Sequence, residues 1–326
     1  MYKTIVFLVM VGLFLTILEF LLKDIDSGID FMDCRYTNRL RGIAAVIVVI
    51  SHVSGLTGTR VATPLGGIGV ALFLICSGYG MYHSYSQKGL KRFWVGKIKR
   101  ILLPYWITVA LYYVINFREI TFNAKMIIRN LLLINPIPFL WFVQFLMIFN
   151  LLFWIIFLLI PEKTRIPVFW VISFVALLWI KNDMYAEQGF SFITGLMLAM
   201  YQGNKMDKNR AFKIGSVFLA VSVLFLGIKQ FPVVRDSFYI IMNVIQMCIK
   251  LFGACGILFI VWKIGAIWGK AFGLIGKCSY EVYIVHTLFI PYLANSGVNT
   301  VTMLAYLVSC GTGVLLLHVM LQKLVV

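Results

Sequence analysis

Acidic side chains are scarce: twelve Asp and Glu stand against 29 Lys and Arg in 326 residues, and charged residues of both signs make up only 13%. A soluble domain needs a polar shell. A chain that is 61% hydrophobic, with a mean hydropathy of +0.94, cannot supply one, so the class is membrane protein. The few acids also sit badly for ion-coupled transport, since Glu19 lies near one end of an apolar run and Glu281 near the start of another. No sequence repeat of the kind that marks many transporters is present. The six cysteines (Cys34, Cys76, Cys248, Cys255, Cys278 and Cys310) form no C-x-x-C pair and have no histidine at metal-ligand spacing. They are read as small core residues, and no metal site is expected. Basic residues do not alternate with aromatics along a soluble module, which sets nucleic acid aside as a partner. The first apolar run, Tyr2 to Leu22, lacks an A-x-A-like cleavage site and is long enough to span, so it is taken as a membrane helix and not a signal peptide.

What remains is apolar sequence cut by charged or Pro/Gly breaks. Eleven spans are expected, roughly 4–22, 42–58, 65–82, 101–117, 140–160, 166–180, 189–202, 211–228, 238–262, 279–294 and 300–321. Counting Lys and Arg in alternate loops gives 20 on one side and eight on the other. By the positive-inside rule the N-terminus is then outside and the C-terminus cytoplasmic. Residues 118–139 form the longest outer segment, with "NPIP" at 135–138 as a turn at its end. The expected fold is an all-α polytopic membrane bundle of about eleven helices.

Polar groups inside such spans are costly and therefore informative. In "RGIAAVIVVISH", Arg41 and His52 are eleven positions apart, which is three helical turns within about 20°. Both side chains share one stripe and are separated by roughly 16 Å along the axis. Arg41 is either a cytoplasmic anchor or a ligand group, whereas an imidazole near mid-bilayer points to function. In "GKCSYEVYIVH", Ser279, Tyr283 and His286 fall at i, i+4 and i+7 and share a helix face. That face is either a hydrogen-bonded packing stripe or part of a site. The glycines of "GGIGVALFLICSGYG", Gly66 to Gly80, are read as packing, and His83 and His318 as helix-end residues satisfied by water. Six cations crowd "KGLKRFWVGKIKR", Lys88 to Arg100. Attraction to anionic lipid accounts for most of them. Arg100, with Lys99 beside it, is nearest the fourth span and best placed to reach a phosphate.

Taken in order, these motifs resemble the membrane acyltransferase-3 family, which O-acylates bacterial surface polysaccharides. "LRGIAAVIVVISH" is similar to its L-R-G-x-A opening with R-x10-H spacing, and "GVALFLICSGY" to its G-V-x-x-F-F-x-x-S-G-F. "KIKRILLPYW" resembles its R-I-x-P-x-Y, "FLWFV" its L-W-F-L, and "IGKCSYEVYIVH" its G-x-x-S-Y-x-x-Y-L-x-H. The chain departs at Asn38, where an acidic residue is often found, and at Tyr79, where the family has Phe. The family core has ten helices, so residues 1–35 are expected to be an extra helix and loop ahead of a ten-helix domain at 36–326.

The resemblance implies a bacterial plasma-membrane O-acyltransferase with a cytoplasmic acyl-CoA donor, acetyl-CoA on family grounds. The acceptor would be a hydroxyl of a cell-surface or lipid-linked polysaccharide. Expected partners are the bilayer, the glycan and polysaccharide-synthesis proteins. Arg41, Arg100 and Lys99 would hold the CoA phosphates. His52 would act as general base or as a transient acyl carrier, and His286, Ser279 and Tyr283 would orient it or bind the thioester carbonyl. The competing class is a transporter or flippase of a lipid-linked saccharide.

Overall fold

A computed structural model describes residues 2–22, 29–59, 61–117, 123–181, 183–200, 207–265 and 267–325. In chain order its helices are α1 (Tyr2–Leu21), α2 (Cys34–Leu56), α3 (Thr63–Lys88) and α4 (Phe93–Lys97). A π turn (Ile98–Leu102) leads into α5 (Leu103–Ile115), α6 (Ala124–Leu131), α7 (Trp141–Leu159) and α8 (Glu162–Trp179). Then come α9 (Asp183–Ala186), α10 (Gly189–Met200), α11 (Lys208–Ile228) and α12 (Pro232–Arg235). The last four are α13 (Tyr239–Ile264), α14 (Gly269–Lys277), α15 (Ser279–Asn295) and α16 (Thr300–Val325).

Each of the eleven expected spans falls on a helix over its described residues, with residues 201–202 of the seventh span lying outside them. Eight described helices, counting Phe93–Ile115 (α4, the π turn and α5) as one, are long and apolar enough to cross a bilayer. The other three expected spans, α8, α10 and α15, are helices of 18, 12 and 17 residues. The first carries three charges in its opening turn, and the other two fall below the 18 residues or so that a spanning stretch needs. No strand occurs among the described residues.

Local chemistry sets several boundaries. Asp33 caps α2 by accepting from the Tyr36 amide at 2.6 Å, so the helix starts about two turns before Arg41 and not beside it. Asn123 caps α6, a helix inside the 118–139 segment expected to be loop. Residues 118–122 of that segment lie outside the described residues. α6 is short, but the hydroxyls of Tyr105 and Tyr113 donate to Asn130 at 2.8 and 2.5 Å and tie it to α5.

The bundle is layered around α3 and α2, whose apolar windows are 67% and 56% buried against 17% for α11. Both central helices run antiparallel along one another, and each carries a further partner on another side: α10 on α3, α14 and α15 on α2. Glycines set these distances. A Cβ at Gly78 would stand 2.2 Å from the Phe192 carbonyl oxygen, and one at Gly195 would stand 2.1 Å from that of Ile75. Only hydrogen at both positions lets α3 and α10 pack this closely.

Candidate active site

The three-turn stripe of α2 holds in the structure, and its two ends sit in different surroundings. At one end the Arg41 guanidinium lies against the Cys76 and Gly80 face of α3, where a Cβ on Gly80 would touch its Nη2 at 3.6 Å. Lys97, at the end of α4, is within electrostatic reach of both Arg41 and Arg100 and has its ammonium 5.0 Å from the Phe93 ring. Lys99 is exposed on the π turn. The cationic end therefore comprises Arg41, Lys97 and Arg100, with Lys99 next to Arg100 on the same exposed turn. Lys97 is the member that the sequence did not distinguish from its neighbours.

At the other end of the stripe stand two histidines. His52 Nδ1 lies 2.8 Å from His286 Nε2, and the rings stack with centroids 5.1 Å apart and an interplanar angle of 13°. His286 is fully buried, and its Nδ1 is 3.0 Å from the Val282 carbonyl oxygen one turn back on α15. A carbonyl can only accept, so His286 Nδ1 carries a proton. With both rings neutral, His286 Nε2 is then an acceptor and His52 Nδ1 donates to it. The chain of hydrogen bonds ends on His52 Nε2, which keeps its lone pair.

Tyr283 and Ser279 divide. The Tyr283 ring stands 5.7 Å from that of His286, and its hydroxyl donates to the Phe139 carbonyl at 2.8 Å. Phe139 is held at φ +66°, a left-handed conformation unusual for a bulky residue, with its ring 5.4 Å from that of His52. Tyr283 thus braces the turn that packs on His52. Ser279 is buried at the first turn of α15, two turns from His286, and does not reach the imidazole pair.

His52 and Tyr283 border a cavity of about 250 Å³. Its rim is made from Thr63 and Pro64 at the start of α3, Trp141 at the start of α7, Met184 on α9 and Lys229 after α11. All of these lie at the bundle end opposite the Arg41 cluster. Two further lining residues escaped the sequence reading. Lys250, in the middle of α13, ion-pairs with Glu187, whose side chain is wholly buried. Gln188 donates from Nε2 to the Gly67 carbonyl at 3.0 Å. Glu187 sits in "NDMYAEQGF", a tract polar enough to pass for loop, and only its placement against α13 marks it. Gly66 and Gly67 do more than pack helices: Cβ atoms there would collide with Ser51 Oγ and with the Lys250 stem, at 2.4 Å in each case.

The helix-end histidines also differ from expectation in part. His83 is exposed and meets Gln87, as a helix-end residue should, but His318 Nδ1 is 3.0 Å from Glu281 Oε1 and so has a carboxylate partner, not water alone. A larger groove of about 580 Å³ between α11 and α13 is lined by Leu219, Val223, Leu224, Ile260 and their neighbours, with Ser216 as its polar group. It offers no acid, base or cation.

No curated protein and no solved structure matches the chain significantly. Residues 35–321 match the family model described as an acyltransferase domain, Acyl_transf_3. That match runs from the first turn of α2 into the last turns of α16 and takes in every helix around the paired imidazoles, so the chain belongs to the membrane acyltransferase-3 family and is a membrane acyltransferase.

Proposed function

We propose that the protein transfers an acyl group, acetyl in the simplest case, from cytoplasmic acyl-CoA to a hydroxyl of a cell-surface or lipid-linked polysaccharide at a bacterial plasma membrane. The observation that carries this reading is the Val282–His286–His52 hydrogen-bond chain, which leaves the lone pair of His52 Nε2 free beside a cavity with polar walls.

The chemistry follows from that lone pair. The acceptor hydroxyl gives its proton to His52 Nε2 as its oxygen bonds to the thioester carbonyl carbon. The tetrahedral adduct then collapses, the carbon–sulfur bond breaks, and the departing thiolate recovers the proton from His52. While His52 is protonated, the positive charge is stabilised by His286, itself anchored on a carbonyl. Arg41, Lys97 and Arg100, with Lys99, hold the donor's phosphates at the cationic end. About 16 Å of α2 separates that end from His52, a span suited to an extended pantetheine arm. The acceptor enters from the opposite end, where the cavity rim lies.

A flippase for a lipid-linked saccharide would also make use of a buried ion pair such as Lys250–Glu187. Washed membranes supplied with labelled acetyl-CoA and a purified acceptor glycan separate the two. Acyl transfer puts label on the glycan, and His52→Ala abolishes it at unchanged protein level. Label that persists undiminished in His52→Ala overturns the proposed mechanism.

A further inference from the structure

The cationic end is assembled on a segment that the core does not hold. α4 and the π turn behind it, Phe93 to Leu102, contain no buried residue. Lys97 and Arg100 are carried on that segment, and Lys97 is within electrostatic reach of both Arg100 and Arg41. None of these three cations pairs with a carboxylate among the described residues. Like charges gathered in this way repel, and they spread apart unless the backbone that carries them is fixed.

The shape of the turn follows from Pro104. Without an N–H, Pro104 cannot donate to the carbonyl of Arg100, four residues back, so the α-helical ladder is broken there. The Leu103 amide donates to the carbonyl of Ile98, five residues back, and the backbone widens into a single π turn. On that turn the Tyr280 hydroxyl, from α15, donates to the Ile101 carbonyl at 3.0 Å. A carbonyl oxygen has two lone pairs, so it can take this bond beside one from the helix. Tyr280 is six residues before His286, about 9 Å along the axis of α15. One helix therefore grips the cation-bearing turn with one side chain and meets His52 with another.

We propose that Tyr280 is a positioning residue for the acyl donor. Its hydroxyl fixes the π turn so that Lys97 and Arg100 converge with Arg41 on the CoA phosphates, at a set distance from His52 and His286. Tyr280 acts through the backbone of the turn, on donor binding and not on proton transfer. The proposal rests on the assignment of the cationic end to the donor's phosphates.

The test is equilibrium binding of CoA to the purified full chain in detergent, by calorimetry at low and at high salt. Tyr280→Phe keeps the ring and should weaken CoA by about fivefold to tenfold, with most of the loss at low salt, where the cations count most. Pro104→Ala returns an N–H that can donate to the Arg100 carbonyl, lets the turn tighten, and should weaken CoA in the same direction. In a Lys97→Ala background Tyr280→Phe should cost less than about threefold, because one of the groups it positions is gone. A thermal melt beside each titration separates positioning from general damage, since Tyr280→Phe should melt close to the wild type. An affinity unchanged in Tyr280→Phe, or a loss that is the same at both salts and in both backgrounds, overturns the positioning role. Weaker CoA in Lys97→Ala beside an unchanged Tyr280→Phe removes that role alone. CoA that fails to bind the wild type removes the donor assignment as well.

Discussion

The Tyr283 hydroxyl donates to the carbonyl of Phe139 at 2.8 Å, and through that one bond α15 holds a left-handed residue against the ring of His52. A bulky residue at positive φ costs about 1–3 kcal/mol and persists only when its surroundings impose it. Tyr283→Phe removes the tie but keeps the ring. The turn is then free to relax, which offsets the lost hydrogen bond of about 1 kcal/mol, so stability should hardly change. Activity should fall by roughly tenfold to a hundredfold, because the wall that positions His52 has moved. Initial rates at saturating acyl-CoA, beside a thermal melt, check both halves.

In the proposed mechanism His286 acts through His52, 2.8 Å away, and not on substrate, so its replacement should change rate more than binding. His286→Ala leaves His52 Nδ1 without its acceptor and the ring free to turn, and kcat should drop by about 10²–10⁴ with little change in the acyl-CoA KM. His286→Gln can again accept from Nδ1 and should recover part of that loss. A purely structural histidine would show no such rescue at equal expression.

The cationic end carries a sharper test than the cluster as a whole. Lys97→Ala should raise the acyl-CoA KM by about tenfold and steepen no other parameter, if the cluster holds the donor's phosphates as proposed and one charge-assisted contact is removed. Lys99→Ala, on the exposed side of the turn, should do less than half of that. KM measured at two salt concentrations adds an independent check, because the Lys97 effect should shrink as salt rises.

That contrast also marks how far the sequence reaches. Helix positions were legible because each apolar run had to form helix in lipid, and the Arg41–His52 stripe was legible because eleven residues nearly close three turns. His286 could be singled out as an imidazole inside a span, but nothing local says that its Nε2 meets a residue 234 positions away. Lys99 was chosen with Arg100 for its nearness to the fourth span and Lys97 was passed over, since the π turn at Ile98–Leu102 breaks the 3.6-residue phase by which a face is assigned. Glu187 was hidden in a polar tract that looks like loop, whereas Lys250, a single charge in a long apolar run, was visible but its partner was not. Their meaning comes from tertiary apposition alone. α6 was missed because eight residues give too short a window for periodicity to register.

The Lys250–Glu187 pair should behave non-additively. Lys250→Met alone strands a wholly buried carboxylate and should cost about 3–5 kcal/mol. Glu187→Gln alone leaves a lysine with some access to the cavity and should cost less. The double replacement removes both charges and should recover most of the stability lost in Lys250→Met. Denaturation midpoints of the four proteins in one detergent give the coupling. Additive losses would mean that the two groups do not form a pair.

Two glycine replacements should separate packing from propensity. A Cβ at Gly276 would lie 1.8 Å from the Asn38 carbonyl oxygen and 2.5 Å from its carbon, both backbone atoms of α2 that no rotamer change can move aside. Gly276→Ala must push α14 away from the helix that carries Arg41 and His52, and should destabilise by at least about 1–3 kcal/mol. Gly12, in α1, has nothing within 4 Å of its would-be Cβ. Gly12→Ala adds only helix propensity and should leave the protein unchanged or up to about 1 kcal/mol more stable. Because α2 and not α1 positions the imidazole, the first variant should lose acyl transfer in step with its stability, whereas the second should keep full activity. Melting temperature and transfer rate measured on the same preparations decide it, and a Gly276→Ala protein that melts and turns over like the wild type would show that α2 and α14 are not packed at this distance.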